Sequence, residues 1–293
     1  MKTLGVMALG MVVLALCVVF LQYGTTESNS AKIHMLNIGQ GDSFLIQAAN
    51  GTQLLIDGGR DATVLSELAK VMPAGDRSID IVIATHPDAD HIGGLDDVFK
   101  RYQVGMFMTS QVQGDTAEYK GLMQAVANEH IPAYYARHGS VLTLDDGATT
   151  NLPASFVILF PDRDTTDWET NTASVVGRLQ IGTGANMRSA LFTGDSPISI
   201  EQYLRIAQPT AIDVDILKLG HHGSRTSSSY AFLKAATPTL ALISAGVHNS
   251  YGHPHQEVLT ALKDLSIPYV STQDKGTVTL STDGSTWMET DEQ

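Results

Sequence analysis

The residues best suited to chemistry lie in segment 85–94, THPDADHIGG, which directly follows the apolar run IDIVIA. Four potential metal ligands fall close together there: His86, Asp88, Asp90 and His91. On a loop at the end of a strand, the first two side chains can turn toward one point and the last two toward another. The two glycines let the chain reverse close to the ions. This spacing predicts a metal site in preference to a solvated polar turn.

Three further apolar segments end in histidine or aspartate beside glycine. They are FTGD, which closes on Asp195, LKLGHHGS, which carries His221 and His222, and NSYGHPH, which contains His253. Active sites of α/β proteins gather where strands end along one edge of a sheet. We therefore expect these side chains to meet those of segment 85–94.

Composition limits which residues can hold a metal. The single cysteine, Cys17, lies in an N-terminal apolar run, which excludes disulfides, cysteine zinc sites, iron–sulfur clusters and a thiol nucleophile in the rest of the chain. Histidine, aspartate and glutamate must supply the ligands. The formal net charge of −13 argues against a protein that coats nucleic acid through a basic surface. The negative net charge does not exclude an enzyme that binds phosphate through metal ions.

Residues 4–21 form an uncharged apolar stretch, LGVMALGMVVLALCVVFL. As a helix this stretch would be about 27 Å long, close to the thickness of the hydrocarbon layer of a membrane. Residues 1–21 are therefore predicted to be a transmembrane anchor or a signal segment, residues 22–31 a linker and residues 32–293 one folded domain. An anchor is favoured over a cleaved signal because no clear cleavage site follows. Lys2 predicts that the folded domain lies outside the cytoplasm.

The elements that must position these residues alternate between short β-like runs and helical patterns. Strands are predicted at 33–38, 43–47, 53–56, 79–84, 104–108, 156–160, 174–181, 189–192, 214–219, 240–244 and 277–280. Helices are predicted at 61–71, 95–101, 117–128, 197–206, 229–235 and 255–262, and 139–153 is predicted to be a surface loop. Several strands follow each other without helices between them, so the prediction is two mixed sheets with helices outside, a four-layer αββα sandwich.

Taken together, the motifs resemble those of the metallo-β-lactamase superfamily, and within it the ComEC-like branch, which includes the extracellular hydrolase domain of the ComEC competence protein. NIGQGDS, LIDGG, THPDADHIGG, FTGD, LKLGHHGS and YGHPH occur in the family's order. The likeness runs from about residue 33 to about residue 288. The first motif differs, because Asn37 stands where the family usually has aspartate. The resemblance implies the αββα fold and a hydrolase with one or two divalent ions, Zn²⁺ or Mn²⁺, with Mg²⁺ as a further candidate.

The resemblance also assigns ligands residue by residue. His86 and Asp88 would serve the first metal, Asp90 and His91 the second, and Asp195 would bridge the two.

The remaining positions of the family pattern include an undecided ligand, a supporting carboxylate and two replaced histidines. One of His221 and His222 would complete the second site, and the sequence leaves the choice open. Asp57 matches a carboxylate that lies behind the metals and anchors their ligands. Asn171 stands where the superfamily has a third histidine, and Asp88 also replaces an imidazole. Oxygen donors favour Mn²⁺ or Mg²⁺ over Zn²⁺ at the first site, and a weak first site is an alternative.

The implied reaction is hydrolysis by metal-activated water. Asp90 or Asp195 could hold the proton of the nucleophile, and His253 could protonate the leaving oxygen. Four nearby residues could contact a phosphate: Lys218, Ser224, Arg225 and Ser227. An ordinary structural position is an equal alternative for each of these catalytic and contact roles.

The expected function is that of an exported phosphodiesterase or nuclease, membrane-anchored or secreted, with DNA as the leading substrate. Two alternatives stay open: a hydrolase of another exported ester, such as a surface-polymer phosphodiester, and a metal-stabilised binding module without activity. A role in DNA uptake would require a separate membrane channel as partner. No obligate protein partner is evident from the sequence.

Overall fold

The computed structural model describes residues 30–290, and the strands of this part of the chain form two mixed sheets. The predicted anchor at 1–21 and most of the predicted linker lie outside the described residues. Within 30–290, no helix is both long and apolar enough to cross a membrane.

The first sheet has eight strands, in the order β15-β14-β1-β2-β3-β4-β5-β6. They are β1 (Ala31–Met35), β2 (Phe44–Gln47), β3 (Gln53–Ile56), β4 (Ser78–Ala84), β5 (Gln103–Thr109), β6 (Ala133–Tyr135), β14 (Val278–Thr282) and β15 (Trp287–Thr290). Neighbours from β15 to β3 run antiparallel, whereas β3 to β6 run parallel.

The second sheet has seven strands, in the order β13-β12-β11-β10-β9-β8-β7. They are β7 (Val141–Asp145), β8 (Ala154–Phe160), β9 (Val176–Ile181), β10 (Arg188–Phe192), β11 (Ile216–Lys218), β12 (Leu240–Ile243) and β13 (Tyr269–Ser271). Here β7 to β10 run antiparallel and β10 to β13 run parallel. Each sheet therefore has a parallel part, in which the carboxyl ends of neighbouring strands lie side by side.

Helices cover the outer faces of both sheets. The α-helices are α1 (Thr63–Val71), α2 (Ala89–Ile92), α3 (Leu95–Arg101), α4 (Ala117–Asn128), α5 (Ile198–Ala207), α6 (Tyr230–Ala236), α7 (Gln256–Asp264) and α8 (Thr272–Lys275). Short 3₁₀ turns occur at Asn171–Ala173, Gly184–Asn186 and Gly220–Gly223. One apolar cluster joins α1 to α4 with the first sheet, another joins α5 to α7 with the second, and a third lies between the sheets. The predicted αββα sandwich of two sheets is confirmed.

Every predicted strand and helix overlaps an observed one, but the sequence missed β6, β7, β13 and β15. The prediction of a loop at 139–153 was wrong, because Val141–Asp145 pairs with β8 at the edge of the second sheet. All four missed strands are short, and the first residues of β7 are largely exposed. A short edge strand with an exposed face has little of the apolar pattern that a sequence search recognises.

Substitution of Phe192 tests the packing of the core between the sheets. Phe192 is the last residue of β10, immediately before the segment that leads to Asp195. Its ring packs edge-on against Phe44 at 5.3 Å and lies 6.0 Å from Phe156 between centroids. We expect Phe192→Ala to lower the free energy of unfolding by about 3–5 kcal/mol, since it leaves a cavity. Phe192→Leu should cost clearly less. Urea denaturation of the metal-free protein measures both, and equal losses would argue against a cavity.

Candidate metal centre

The candidate site lies where parallel strands of both sheets end. Asp57 follows β3 and His86 follows β4, one residue after Thr85. Asp195 follows β10, and His222 lies in the turn Gly220–Gly223 after β11. Because these strand ends lie at the same edge of the sandwich, side chains far apart in the sequence come together there.

The carboxylate of Asp195 is the centre of the cluster. Its Oδ2 lies 3.3 Å from His91 Nε2, 3.4 Å from His222 Nε2, 3.6 Å from His221 Nε2 and 4.0 Å from His86 Nε2. The Nε2 atoms of His86, His91 and His222 are buried without a hydrogen-bond partner among residues 30–290. Buried polar atoms are normally paired, so three unpaired nitrogens around one carboxylate fit a divalent ion.

Asp57 orients two of these imidazoles from behind. It accepts hydrogen bonds from Thr85 N at 2.7 Å, from Thr85 Oγ1 at 2.8 Å and from His91 Nδ1 at 2.8 Å. Since the Thr85 hydroxyl donates to Asp57, His86 Nδ1, 3.0 Å away, must donate to that hydroxyl. His86 then carries its proton on Nδ1, and the free lone pair of Nε2 faces the site. Asp57 thus supports His91 directly and His86 through Thr85.

The structure distinguishes between His221 and His222. His222 is buried, its Nδ1 donates to the carbonyl of Ser244 at 3.0 Å, and its Nε2 lies 3.4 Å from both Asp90 Oδ2 and Asp195 Oδ2. The side chain of His221 is 28% exposed, and Asp195 is the one acid of residues 30–290 within 4.0 Å of its Nε2. The geometry favours His222 as the ligand that completes the second site.

Both histidines have left-handed backbones, with φ of 50° for His221 and 56° for His222. For residues other than glycine this conformation costs roughly 1–2 kcal/mol each. Strain of this kind persists where the surrounding structure holds it, which is common at functional sites.

A charged pair that the sequence analysis missed lies beneath the imidazoles. Lys218 is buried, and its Nζ hydrogen-bonds to Asp42 and to the carbonyl of Gly194 at 2.8 Å, and lies 3.6 Å from Asp195 Oδ1. Asp42 is the single acid of the NIGQGDS motif, and the sequence analysis assigned it no site role. One potential ligand atom each from Asp42, Asp195, His91 and His222 lie within 4.8 Å of one another.

Asp42 nevertheless lies behind the imidazoles. Its carboxylate is 3.2 Å from His222 Nδ1 and 3.9 Å from His91 Nδ1, on the side away from the Nε2 atoms. The contact with Lys218 occupies it further. We therefore assign Asp42 to charge balance beneath the site, with the ligands on the Nε2 side.

The charges of the site explain which rings carry protons in the metal-free protein. Burial and the neighbouring His91 lower the pKa of His86 to about 3, so His86 is neutral at pH 7. Burial also disfavours the charged form of His222, but Asp195 and Asp42 outweigh it and raise the pKa to about 9. Burial opposes the charge of His91 as well, yet Asp195 and Asp57 raise its pKa well above the usual range. In the metal-free protein, His91 and His222 therefore carry positive charges beside Asp195.

Two of the residues assigned to the first metal, Asp88 and Asn171, are less buried than His86. Asp88 Oδ2 is 3.7 Å from His86 Nε2, and the side chain of Asp88 is 39% exposed. Partial burial raises its pKa, although Thr170 donates a hydrogen bond to it. The neighbouring Asn171 has a buried Oδ1 with no partner among the described residues. These placements are compatible with an oxygen-rich first site, and the ligand roles of Asp88 and Asn171 stay predictions.

Three of the four predicted phosphate contacts do not fit their positions. Lys218 is enclosed beneath the site, as described above. Ser227 is buried and donates to the carbonyl of Ser196 at 2.8 Å, and Ser224 is buried and accepts from the hydroxyl of Thr226 at 3.0 Å. Lys218 therefore belongs to the charged pair beneath the site, whereas the two serines form hydrogen bonds within the protein.

Arg225 and His253 are differently placed. Arg225 is exposed and forms an ion pair with Glu257 at 3.4 Å, so a phosphate would compete with Glu257 for its guanidinium. His253 is buried against His221 and His222, with ring centroids 5.4 Å and 6.0 Å away. Burial, and after it the neighbouring imidazoles of His222 and His221, lower the pKa of His253 to about 4. An uncharged ring at pH 7 does not favour the general-acid role that the sequence predicts.

With this geometry established, comparison with known proteins identifies the class. The metallo-beta-lactamase superfamily matches residues 36–248, and the chain belongs to this superfamily of metal-dependent hydrolases. Its fold is similar to that of Igni18, a metallo hydrolase from Ignicoccus hospitalis. The TM-score is 0.53 at 14% identity, over 85% of this chain and 98% of that one.

Within the superfamily, the relatives are ComEC-like competence proteins. The chain is 30% identical over 268 residues to ComE operon protein 3 of Bacillus subtilis, covering 86% of this chain and 33% of that protein. It is 31% identical over 253 residues to Competence protein ComA of Neisseria gonorrhoeae, covering 85% and 32%. The chain thus spans about a third of the length of these relatives.

Metal binding should release protons, because His91 and His222 must lose theirs to become ligands. The raised pKa of His222 contributes stability to the metal-free protein below about pH 6.5, and this contribution is lost as the pH rises through about 9. Metal affinity should therefore increase over the same interval. Calorimetric titration with Mn²⁺ at pH 7, in two buffers of different ionisation enthalpy, measures the release. Binding without proton exchange would contradict the assignment.

The buried pair beneath the site can be tested by a double-mutant cycle. Lys218→Met leaves Asp42 and Asp195 without their cation and should destabilise the metal-free protein by about 3–5 kcal/mol. Adding Asp42→Asn should restore part of that loss, with a coupling of about 0.5–3 kcal/mol. The exposed pair Lys275–Glu289 offers a matched control, where Lys275→Met should cost less than about 1 kcal/mol. Additive effects of the two buried substitutions in urea denaturation would exclude the coupling.

Proposed function

We propose that this chain is an exported, metal-dependent phosphodiesterase that cleaves nucleic acid, with DNA as the expected substrate. The observation that carries the proposal is the ring of unpaired, buried Nε2 atoms around Asp195. The competence proteins among its relatives support a nucleic acid as the substrate.

The donors divide into two groups about Asp195. His86, Asp88 and Asn171 would hold the first ion, and Asp90, His91 and His222 the second. A bound divalent ion lowers the pKa of a coordinated water from about 15.7 to about 7 and polarises the bond under attack. The two oxygen donors at the first group favour Mn²⁺ or Mg²⁺ over Zn²⁺ there.

Other residues of the site would serve proton transfer and contact with the phosphodiester. Asp90, less buried than Asp195, can accept the proton of the nucleophile and orient it. Asp195 is held ionised, because His91, His222 and Lys218 outweigh the effect of burial and keep its pKa well below the usual range. Arg225 is placed to contact a phosphate of the substrate. His253, neutral at pH 7, can hold an oxygen of the phosphodiester through a ring N–H.

Export and membrane attachment belong to the same proposal. They rest on the apolar segment 4–21, which lies outside the described residues. A separate membrane channel as partner in DNA uptake is part of the same proposal.

The activity can be tested directly on the purified protein. We expect Mn²⁺-dependent cleavage of single- or double-stranded DNA and a loss of at least about 100-fold in Asp195→Asn, which removes one charge from the shared carboxylate. Asp283→Asn changes an exposed loop carboxylate and should retain full activity. Hydrolysis of surface-polymer phosphodiesters without DNA cleavage would replace the proposed substrate. Metal binding without any hydrolysis would indicate a binding module.

Metal preference provides a second test, aimed at the first site. Activity should rise with added Mn²⁺, because oxygen donors suit harder ions. The double change Asp88→His with Asn171→His supplies two imidazoles and should shift binding and activity toward Zn²⁺. A loss of stability alone would instead lower activity with every ion. Full activity of the unmodified protein with tightly held Zn²⁺, together with indifference to Mn²⁺, would show that donor softness does not set the preference.

A further inference from the structure

The loop at 246–254 is fixed by three side-chain amides. Gly246 N donates to Gln40 Oε1 at 3.2 Å, and the carbonyl of Gly246 accepts from Asn249 Nδ2 at 2.8 Å and from Gln273 Nε2 at 2.7 Å. The same amides of Asn249 and Gln273 also bind the carbonyl of His253, at 2.7 Å and 3.1 Å. His253 N donates to Asn249 Oδ1 at 2.9 Å. These hydrogen bonds hold both ends of the loop beside the candidate metal centre.

This loop carries an exposed aromatic ring. Tyr251 is 56% exposed, and its ring lies almost parallel to that of His253, at 5.6 Å between centroids and 20° between planes. His253 in turn packs against His221 and His222, whose Nε2 atoms face Asp195. A row of rings thus leads outward from the centre of the site and ends at Tyr251 on the surface.

Tyr251 offers a flat aromatic face to solvent beside the candidate metal centre. The function proposed above brings a polymer of flat bases to this place. The formal net charge of −13 opposes the approach of nucleic acid, and the nearby Arg225 is already paired with Glu257. Charge alone therefore supplies little of the binding free energy. Aromatic stacking is a sequence-tolerant alternative, because every base has a π face.

We propose that Tyr251 stacks on a nucleobase that flanks the scissile phosphodiester, and that the amide-held loop fixes its position. This inference rests on the proposed function and specifies how the substrate is held. It requires a substrate with accessible bases, so a single strand or an unpaired end binds at Tyr251. A polymer without bases binds at the same metal centre, but Tyr251 adds nothing to its binding free energy.

The test measures Mn²⁺-dependent cleavage of two substrates of equal length and charge, a thymidine oligonucleotide and its fully abasic analogue. We expect Tyr251→Ala to raise KM for the thymidine oligonucleotide by about 5- to 100-fold, the range that loss of one base–aromatic stack gives. The value of kcat should change less than twofold, and the abasic analogue should be cleaved as by the unmodified protein. Tyr251→Phe should retain the low KM.

Tyr269 is the matched control, since it is 43% exposed and lies at the first residue of β13, away from the strand ends that form the site. Tyr269→Ala should leave both substrates unaffected. Equal effects of Tyr251→Ala on both substrates, or no effect on either, would overturn the stacking role while leaving the nuclease activity in place.

Cleavage of neither oligonucleotide by the unmodified protein would refute the proposed function instead. In that case fluorescence anisotropy with the same two oligonucleotides decides the stacking role. Tighter binding of the thymidine oligonucleotide that Tyr251→Ala abolishes would support it, and equal binding of the two would overturn it.

Discussion

The buried carboxylate of Asp195 is the constraint on which the site depends. An ionised carboxylate removed from water costs several kcal/mol unless other charges and hydrogen bonds compensate it. Here the compensation is arranged on two sides. His91 and His222 approach Oδ2, and Lys218 lies beneath Oδ1. The side that faces the imidazoles is the one where a divalent ion can replace protons.

The fold supplies this arrangement by bringing the ends of two sheets together. Asp57 and His86 follow strands of the first sheet. In the second sheet, Asp195 follows β10 and Lys218 is the last residue of the adjacent β11. Asp57 has a left-handed backbone, with φ of 59°, at the point where it supports His91 and, through Thr85, His86. The positions of the imidazoles therefore depend on groups behind them as much as on the loops that carry them.

Much of the fold could be predicted, and so could the meeting of several candidate ligands at the strand ends, because both have local patterns. Apolar runs that end in histidine or aspartate beside glycine located the strand ends, and segment 85–94 brought four donors into one turn. The contact of Asp42 with Lys218 could not be predicted in the same way, since it joins residues from different sheets. The choice between His221 and His222 depends on a backbone turn and on the carbonyl of Ser244. The neutral state of His253 depends on neighbouring charges that no spacing reveals.

The most direct measurement is anomalous diffraction from crystals grown with Mn²⁺. We expect two manganese peaks on either side of Asp195 Oδ2, within about 2.0–2.6 Å of their ligand atoms. One should be bound by His86 and the other by His91 and His222, with the ammonium of Lys218 still at Asp42. Manganese bound on the Asp42 side, or no manganese near Asp195, would contradict the arrangement of the site described above.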